Sequence, residues 1–546
     1  MKNYSAAVKK NSFEILTSLL GAISLFWATL FQGKLVGDLL DARFTVVVND
    51  HWYQTLVGNH AFSNLNFYFP SGNQLGYSDA FFTTGIIAIP FRIFGATAIQ
   101  SWTYANVLVV IICLFFACKF FGIILRNRTY AALLTLLVAS SYPFIAQMGH
   151  LQTVGYLLAF PLVFYLLRAY QDPSKMVLNT FISILLFQVL ALTSWYAFVF
   201  VCAIGLILAG LLVLFFGVNE FQEKILIAFR DLNENLRLTS KFNKALMLFT
   251  AIPLPLLWMS IYSVGFGKVT NKTYEEFVFY APRWGDLFNS TNQSWGVQKY
   301  FNDLTQQSIV GSSERALGIT PILFLATLIL VFTLILPSST FKPGNRKFTS
   351  VLVSASVIPS LILVTDEAGH SLWRFIWAHI EPIRSIRVPF RISVFTTWIL
   401  LFAIFFALSK LKVRKFYVFA VFIFILLDTW RPIPSTWSET EELSLSGRIV
   451  INSIVDQKCG YFFLNPSLSN ESPWITQVEA MTIANMTGIP TVNGYSGNWP
   501  DAWPIQEYWG RATESEIKQW VNKSPKSTDL IGCYIEQDFP DKVKIL

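Results

Sequence analysis

Charge is what this chain has least of. Asp, Glu, Lys and Arg make up 14% of its 546 residues, where a soluble domain carries about 25%. An ordinary soluble domain is thereby excluded. Cysteine is scarce too, with five in all. Cys113, Cys118 and Cys202 lie inside apolar runs and read as small core residues. Cys459 and Cys533 fall in the polar C-terminal part, either as one disulfide or as a free pair. The sequence holds no HExxH, no Walker-type glycine loop and no CxxC, so metalloprotease, ATPase and thiol-redox chemistry have no support. "NGYSG" (493–497) lacks the glycine that a nucleophile elbow places two residues after its serine, where Asn498 stands, and reads as a turn. No internal repeat or low-complexity tract interrupts the chain.

Apolar residues fill the gap. They make up 53% of the chain, mean hydropathy is +0.49, and they cluster in runs near the length of about 20 residues that spans a bilayer. The fold class is a polytopic α-helical membrane protein. Candidate spans are 14–32, 80–98, 100–124, 129–147, 150–170, 177–195, 197–217, 246–265, 319–337, 350–365, 392–410 and 416–430. The net charge of +8 lies in short loops between these runs, as a topology signal does, and does not form a nucleic-acid surface. Lys2, Lys9 and Lys10 precede the first run, and "QGKLVGD" follows it in place of a cleavage site, so it reads as an uncleaved helix.

Positive charge marks the inner side. The N-terminus, Lys224–Lys244, Lys342–Lys347 and Lys410–Lys415 go there. The loop at 33–79 is then outside, and an odd number of crossings must separate it from 218–245. Six candidates intervene, so either 80–98 or 129–147 fails to span. The expectation is about eleven crossings with the N-terminus inside. Residues 1–430 form the membrane domain, with outer loops 33–79, 266–318 and 366–391. Residues 431–546 form an extracytoplasmic α/β or mixed soluble domain. Asp38, Asp41, His51, Asp79, His150, Glu314, His370, Arg384, Arg387 and Arg391 all fall on the outer face, which predicts one polar cavity there.

Each cluster carries two readings. Asp38 and Asp41 in "GDLLDARF" are three apart and share a helical face. Paired carboxylates raise one pKa and suit proton abstraction. The plainer reading has Asp38 capping a helix on the membrane surface, salt-bridged to Arg43. Asp79 in "FPSGNQLGYSDA" is either the N-cap of the next helix or a second acid of the same site. Arg384, Arg387 and Arg391 in "PIRSIRVPFRIS" recur at three and four, either as a forked phosphate site or as a belt against lipid headgroups. Glu314 beside Arg315 reads as a local ion pair or a site residue, and His150 as a structural hydrogen-bonder or a ligand. Trp474, Trp499, Trp503 and Trp509 are either sugar-stacking platforms or interface anchors.

Together these stretches, with "HWY", "GHLQ", "ERALG" and "NGYSG", resemble the GT-C superfamily, polytopic glycosyltransferases that use a polyprenyl-phosphate-linked sugar. The resemblance runs over most of the chain and is closest to large bacterial members. It implies an inverting hexosyl- or pentosyltransferase acting on a glycan, lipid or other acceptor at the outer side of the cytoplasmic membrane. It carries the role of general base to Asp38 or Asp41, with Asp38 preferred, and places Asp79 at the acidic position that closes the loop. Arg43, His51, His150, Glu314, Arg384, Arg387 and Arg391 become the substrate-binding set. The first loop has DxxD and no DxD, so no metal or other cofactor is expected. Expected partners are the lipid donor, a glycan or lipid-linked acceptor and membrane lipids, and no nucleic acid. The rivals are a lipid-linked-oligosaccharide flippase, an O-antigen-type ligase or polymerase, and a non-enzymatic scaffold.

Overall fold

The computed structural model describes residues 2–238, 244, 245, 247, 253–266, 273–290, 313–336, 341–411, 413–429, 436–469, 472–505, 510–524 and 530–546. Among them, seven helices are long and apolar enough to cross a membrane: Ala98–Leu125, Arg128–Ala146, Gln152–Gln171, Pro173–Thr193, Trp195–Phe216, Pro343–Leu363 and Pro389–Lys410. Asn11–Leu25, Phe82–Ile93 and Pro321–Ile335 are apolar but shorter. Phe82–Ile93, within the doubtful 80–98 segment, has 12 residues; that length rises about 18 Å, short of a hydrocarbon core of about 30 Å. The 129–147 segment breaks at Ser140 and Ser141 into Arg128–Ala139 and Tyr142–Ala146. Part of the 246–265 segment lies outside the described residues, and the rest is the helix Pro253–Phe266. The crossing count expected from charge remains an expectation.

Polar caps start these helices where the apolar runs begin. Thr97 and Gln100 form a capping box for Ala98–Leu125, and Asn127 caps Arg128–Ala139. Pro389–Lys410 is 83% buried over its span while Trp195–Phe216 is 22% buried. The first is therefore the central helix and the second faces outward. Arg391 sits at the start of the central one.

The segment after the first helix is packed within the protein. Helix Asp41–Leu56 is buried continuously from Ala42 to Trp52, under the C-terminal part of the chain. β1 (Lys34–Val36) pairs antiparallel with β2 (Thr436–Ser438), Leu35 opposite Trp437. Tyr68 and Phe69 donate backbone N–H groups to Asn493 and Thr491 at 2.9 Å, and Thr491 returns one to Asn66. Beyond β2, β3 (Tyr461–Asn465) runs parallel to β4 (Gly532–Glu536), which pairs antiparallel with β5 (Val543–Ile545). Cys459 and Cys533 form a disulfide beside this sheet. β3 joins two cores by its period of two. Tyr461 and Phe463 pack into the large core shared with the membrane helices. Phe462 and Leu464 pack into a smaller one with Val450 and Ile535.

Candidate active site

One cavity of about 150 Å³ gathers residues from seven separate stretches, among them Asp41, Asp79, His150, Arg387, Arg391 and Tyr495. Local geometry explains which aspartate of the first pair reaches it. The helix starts at Asp41, so Asp38 precedes its first turn and folds over it. Asp38 Oδ1 accepts the backbone N–H groups of Leu40, Asp41 and Ala42 at 3.0, 2.6 and 3.3 Å, satisfying donors that a helix start leaves open. Gly37 permits the tight approach: its φ is +110°, and a Cβ there would collide with that of Ala42. Asp38 is thus the cap, and Asp41 is the acid that faces the cavity.

Asp41 opens a row of alternating charge. Its Oδ2 pairs with His150 Nδ1, and its Oδ1 accepts the Tyr495 hydroxyl at 2.7 Å. His150 Nε2 lies 3.1 Å from Glu314 Oε1. Glu314 takes the Arg391 guanidinium in a forked pair, Nε at 3.2 Å on Oε2 and Nη2 on Oε1, and accepts a hydrogen bond from Gln147 Nε2 at 2.9 Å. So many buried charges are tolerable only because each has an opposite charge beside it. Burial alone would raise the Asp41 carboxyl, yet His150 prevails and holds it at about 2. Burial and Arg391 oppose the charge on His150, yet Asp41 and Glu314 raise it to about 9. Burial opposes the Glu314 charge as well, and Arg391 and His150 bring it well below the usual range. Near neutral pH the row is carboxylate, imidazolium, carboxylate, guanidinium.

Asp79 borders the same cavity but does not cap its own helix. Its Oδ1 accepts the Trp195 backbone N–H at 2.7 Å and its Oδ2 the Ser194 hydroxyl at 3.2 Å, closing the start of Trp195–Phe216. Burial pushes its carboxyl up to about 6 against those hydrogen bonds.

Arg387 is the least enclosed of the cavity's cations. Its side chain is 40% exposed, with Glu276 at 3.7 Å, whereas Arg391 is 5% exposed. Tyr196 fixes the turn between them, its hydroxyl accepting the Arg387 and Val388 N–H groups at 2.9 and 3.3 Å while Arg391 stacks over its ring at 5.7 Å.

Three expected site residues sit elsewhere. Arg384 does not line up with Arg387 and Arg391, because Pro389 and two short turns, Glu381–Ser385 and Pro389–Ile392, replace a continuous helix. It donates to the Trp377 and Ala378 carbonyls at 3.1 and 2.9 Å. Arg43 does not pair with Asp38. It is buried and donates to the Glu442 and Ile475 carbonyls at 2.8 and 2.6 Å, tying the C-terminal part to helix Asp41–Leu56. His51 is buried against His60 and the Phe62 carbonyl, both at 3.0 Å. Glu314 does not pair with its neighbour Arg315, which takes Asp286. Trp509 lies outside the described residues.

Sequence reading missed Tyr495, Tyr196 and Gln147. "NGYSG" was visible as a turn, and nothing in its own residues indicates that the turn closes on a loop more than 400 positions earlier. Among the described residues, no group of three or more His, Cys, Asp and Glu is arranged to hold a metal ion.

No family model and no curated protein matches this sequence. Among solved structures, the chain is similar to the archaeal oligosaccharyltransferase AglB from Archaeoglobus fulgidus in complex with an inhibitory peptide and a dolichol-phosphate, with TM-score 0.44 and 10% identity over 97% of this chain and 70% of that one. It is also similar to ArnT from Cupriavidus metallidurans in the apo state, with TM-score 0.35 and 12% identity over 95% and 92% of the two chains. Likenesses at these scores carry no chemistry across, so any functional reading must rest on the cavity's own residues.

Proposed function

We propose that this chain is an inverting glycosyltransferase of the GT-C kind, moving one sugar from a polyprenyl-phosphate donor to a glycan, lipid or other acceptor. The observation that carries the reading is the paired row Asp41–His150–Glu314–Arg391 with Arg387 open beside it, set where apolar helices end. The acceptor hydroxyl attacks the anomeric carbon from the face opposite the phosphate. As the new carbon–oxygen bond forms, its proton passes to Asp41. The old bond breaks, and its electron pair leaves with the phosphate. One displacement inverts the anomeric centre. Arg387 meets the growing phosphate charge, with Arg391 behind it. Fixed charges aimed at developing charge supply much of the rate acceleration in many enzymes. Asp41 is preferred over Asp79 as base because its side chain is 24% exposed to the cavity, while Asp79 is closed under Trp195 and Ser194.

One loosely held cation favours a single phosphate. His150 and Arg391 are tightly paired with Asp41 and Glu314, whereas Arg387 is 40% exposed and its carboxylate partner, Glu276, stands at 3.7 Å. A phosphodiester brings one negative charge to that cation, whereas a diphosphate brings a second one with no partner. This weighs against the ligase or polymerase reading. A flippase would place charge along a path in mid-helix, and Arg391 lies at a helix start. The basic inner loops and the Cys459–Cys533 disulfide support an outward-facing site in an oxidising compartment of the cytoplasmic membrane. Residues 431–546, which reach the cavity rim, are proposed as the acceptor side.

The test is sugar transfer by the detergent-purified protein from synthetic polyprenyl monophosphate and diphosphate donors carrying the same sugar. The reading expects turnover with the monophosphate and inversion at the anomeric carbon. Turnover with the diphosphate alone, or retention of configuration, would contradict it.

A further inference from the structure

The cavity is not complete within residues 1–430. Its rim includes Tyr495, Ser496 and Asn498, and the turn that carries them is held on every side. Asn493 exchanges hydrogen bonds with the Leu464 backbone at 2.8 Å in both directions and donates to Gln477 at 2.8 Å. Gly494 lies flat on Tyr68, where a Cβ would collide with the ring. Ser496 hydrogen-bonds the Tyr68 hydroxyl at 2.9 Å, and the Asn498 N–H reaches the Tyr77 carbonyl at 2.9 Å. Side-chain and backbone bonds on both flanks leave Tyr495 little freedom to move. Its ring stands edge-on to Phe44 at 5.7 Å, and its hydroxyl donates to Asp41 Oδ1.

We propose that Tyr495 is a positioning residue for Asp41, supplied by the C-terminal segment to complete the active cavity. His150 holds one oxygen of the carboxylate and Tyr495 the other, so the plane of the carboxylate is fixed from both sides. A carboxylate accepts through about four lone-pair directions, and those left over face the cavity, where an acceptor hydroxyl would arrive. Fixing that plane matters because small misplacement of a reacting group costs large factors in rate. The inference rests on the glycosyltransferase reading given above.

The groups around this pair define what a titration reads. Asp41, Arg387 and Asp38 act electrostatically on Tyr495; Arg391, Asp41 and Glu314 act on His150. The experiment is the pH profile of sugar transfer by the full-length wild type and Tyr495→Phe, which removes one oxygen and no packing. Expected is a fall in kcat on the order of tenfold, the cost of a hydrogen bond to a charged group, with the donor KM within about twofold. The basic limb, set by His150, moves to higher pH, because Asp41 with one donor fewer holds the imidazolium proton more tightly. A tyrosine that only packs would change thermal stability and leave that limb in place. A variant with the wild-type rate and limb overturns the inference alone, provided the wild type turns over and Asp41→Asn does not. A wild type that transfers from no donor overturns the inference together with the reading beneath it.

Discussion

Changing Glu314 to Gln takes one charge from the middle of the row and leaves the shape nearly intact. His150 Nε2 and Glu314 Oε1 are 3.1 Å apart, and unit charges at that distance attract by roughly 5 kcal/mol in an effective dielectric of about 20. Solvent in the cavity, to which the His150 side chain is 25% exposed, screens about half of this, leaving roughly 2–3 kcal/mol, or about two pKa units for His150. Its imidazolium, raised to about 9 in the wild type, then falls close to its ordinary value. The linkage has a definite sign. A histidine raised from 6.5 to about 9 contributes about 3 kcal/mol that is fully present below pH 6.5 and lost as pH rises through 9. Most of that contribution is absent in the variant. Unpairing Arg391 adds a cost on the order of 3–5 kcal/mol that does not depend on pH in this range. Thermal unfolding of both proteins in detergent, at pH 6 and pH 9.5, separates the two effects. The variant is less stable at both, and the gap narrows by roughly 2–3 kcal/mol at the higher pH. A gap of constant size would refute the paired row as the source of the His150 charge.

Two further outcomes follow from the same geometry. Arg387→Ala lowers transfer on the order of 100-fold or more through the lost phosphate contact, while Arg384→Ala, whose guanidinium holds two backbone carbonyls away from the cavity, leaves kcat and donor KM within about twofold; steady-state kinetics over a range of donor concentrations compares them. Cys459→Ser opens a loop of 74 residues and costs about 4 kcal/mol by loop entropy, read as a drop in thermal midpoint that reducing agent reproduces in the wild type and not in the variant.

Much of this site was legible as chemistry, and less of it as geometry. Five of the ionisable residues that charge topology sorted to one face do line one cavity, Asp41, Asp79, His150, Arg387 and Arg391, and a sixth, Glu314, pairs with His150 and Arg391 behind them. Side of the membrane is written in the loops, so that grouping needs no tertiary structure. The choice between Asp38 and Asp41 does need it, because three-residue spacing describes a shared face only if both residues are inside the helix, and the helix begins at Asp41. The arginine row failed for a related reason. Intervals of three and four line up on an unbroken helix, and Pro389 ends regular geometry between Arg387 and Arg391. Tyr495 was out of reach altogether, since its partner lies 454 positions away and the contact is set by strand-like pairing of 66–69 with 491–493. Among the described residues, seven of the apolar runs lie on helices long and apolar enough to cross a membrane and three on shorter ones, because hydrophobic length is a local property.

The central claim is that Asp41 removes the acceptor's proton while Asp38 only caps the helix beneath it. Transfer from a polyprenyl-phosphate sugar by Asp41→Asn and Asp38→Asn, each purified and monodisperse, tests it most directly. The account predicts that Asp41→Asn falls by about 100-fold or more, while Asp38→Asn keeps turnover within a few-fold, since asparagine caps a helix nearly as well as aspartate. Turnover that survives Asp41→Asn and is lost in Asp38→Asn would contradict it.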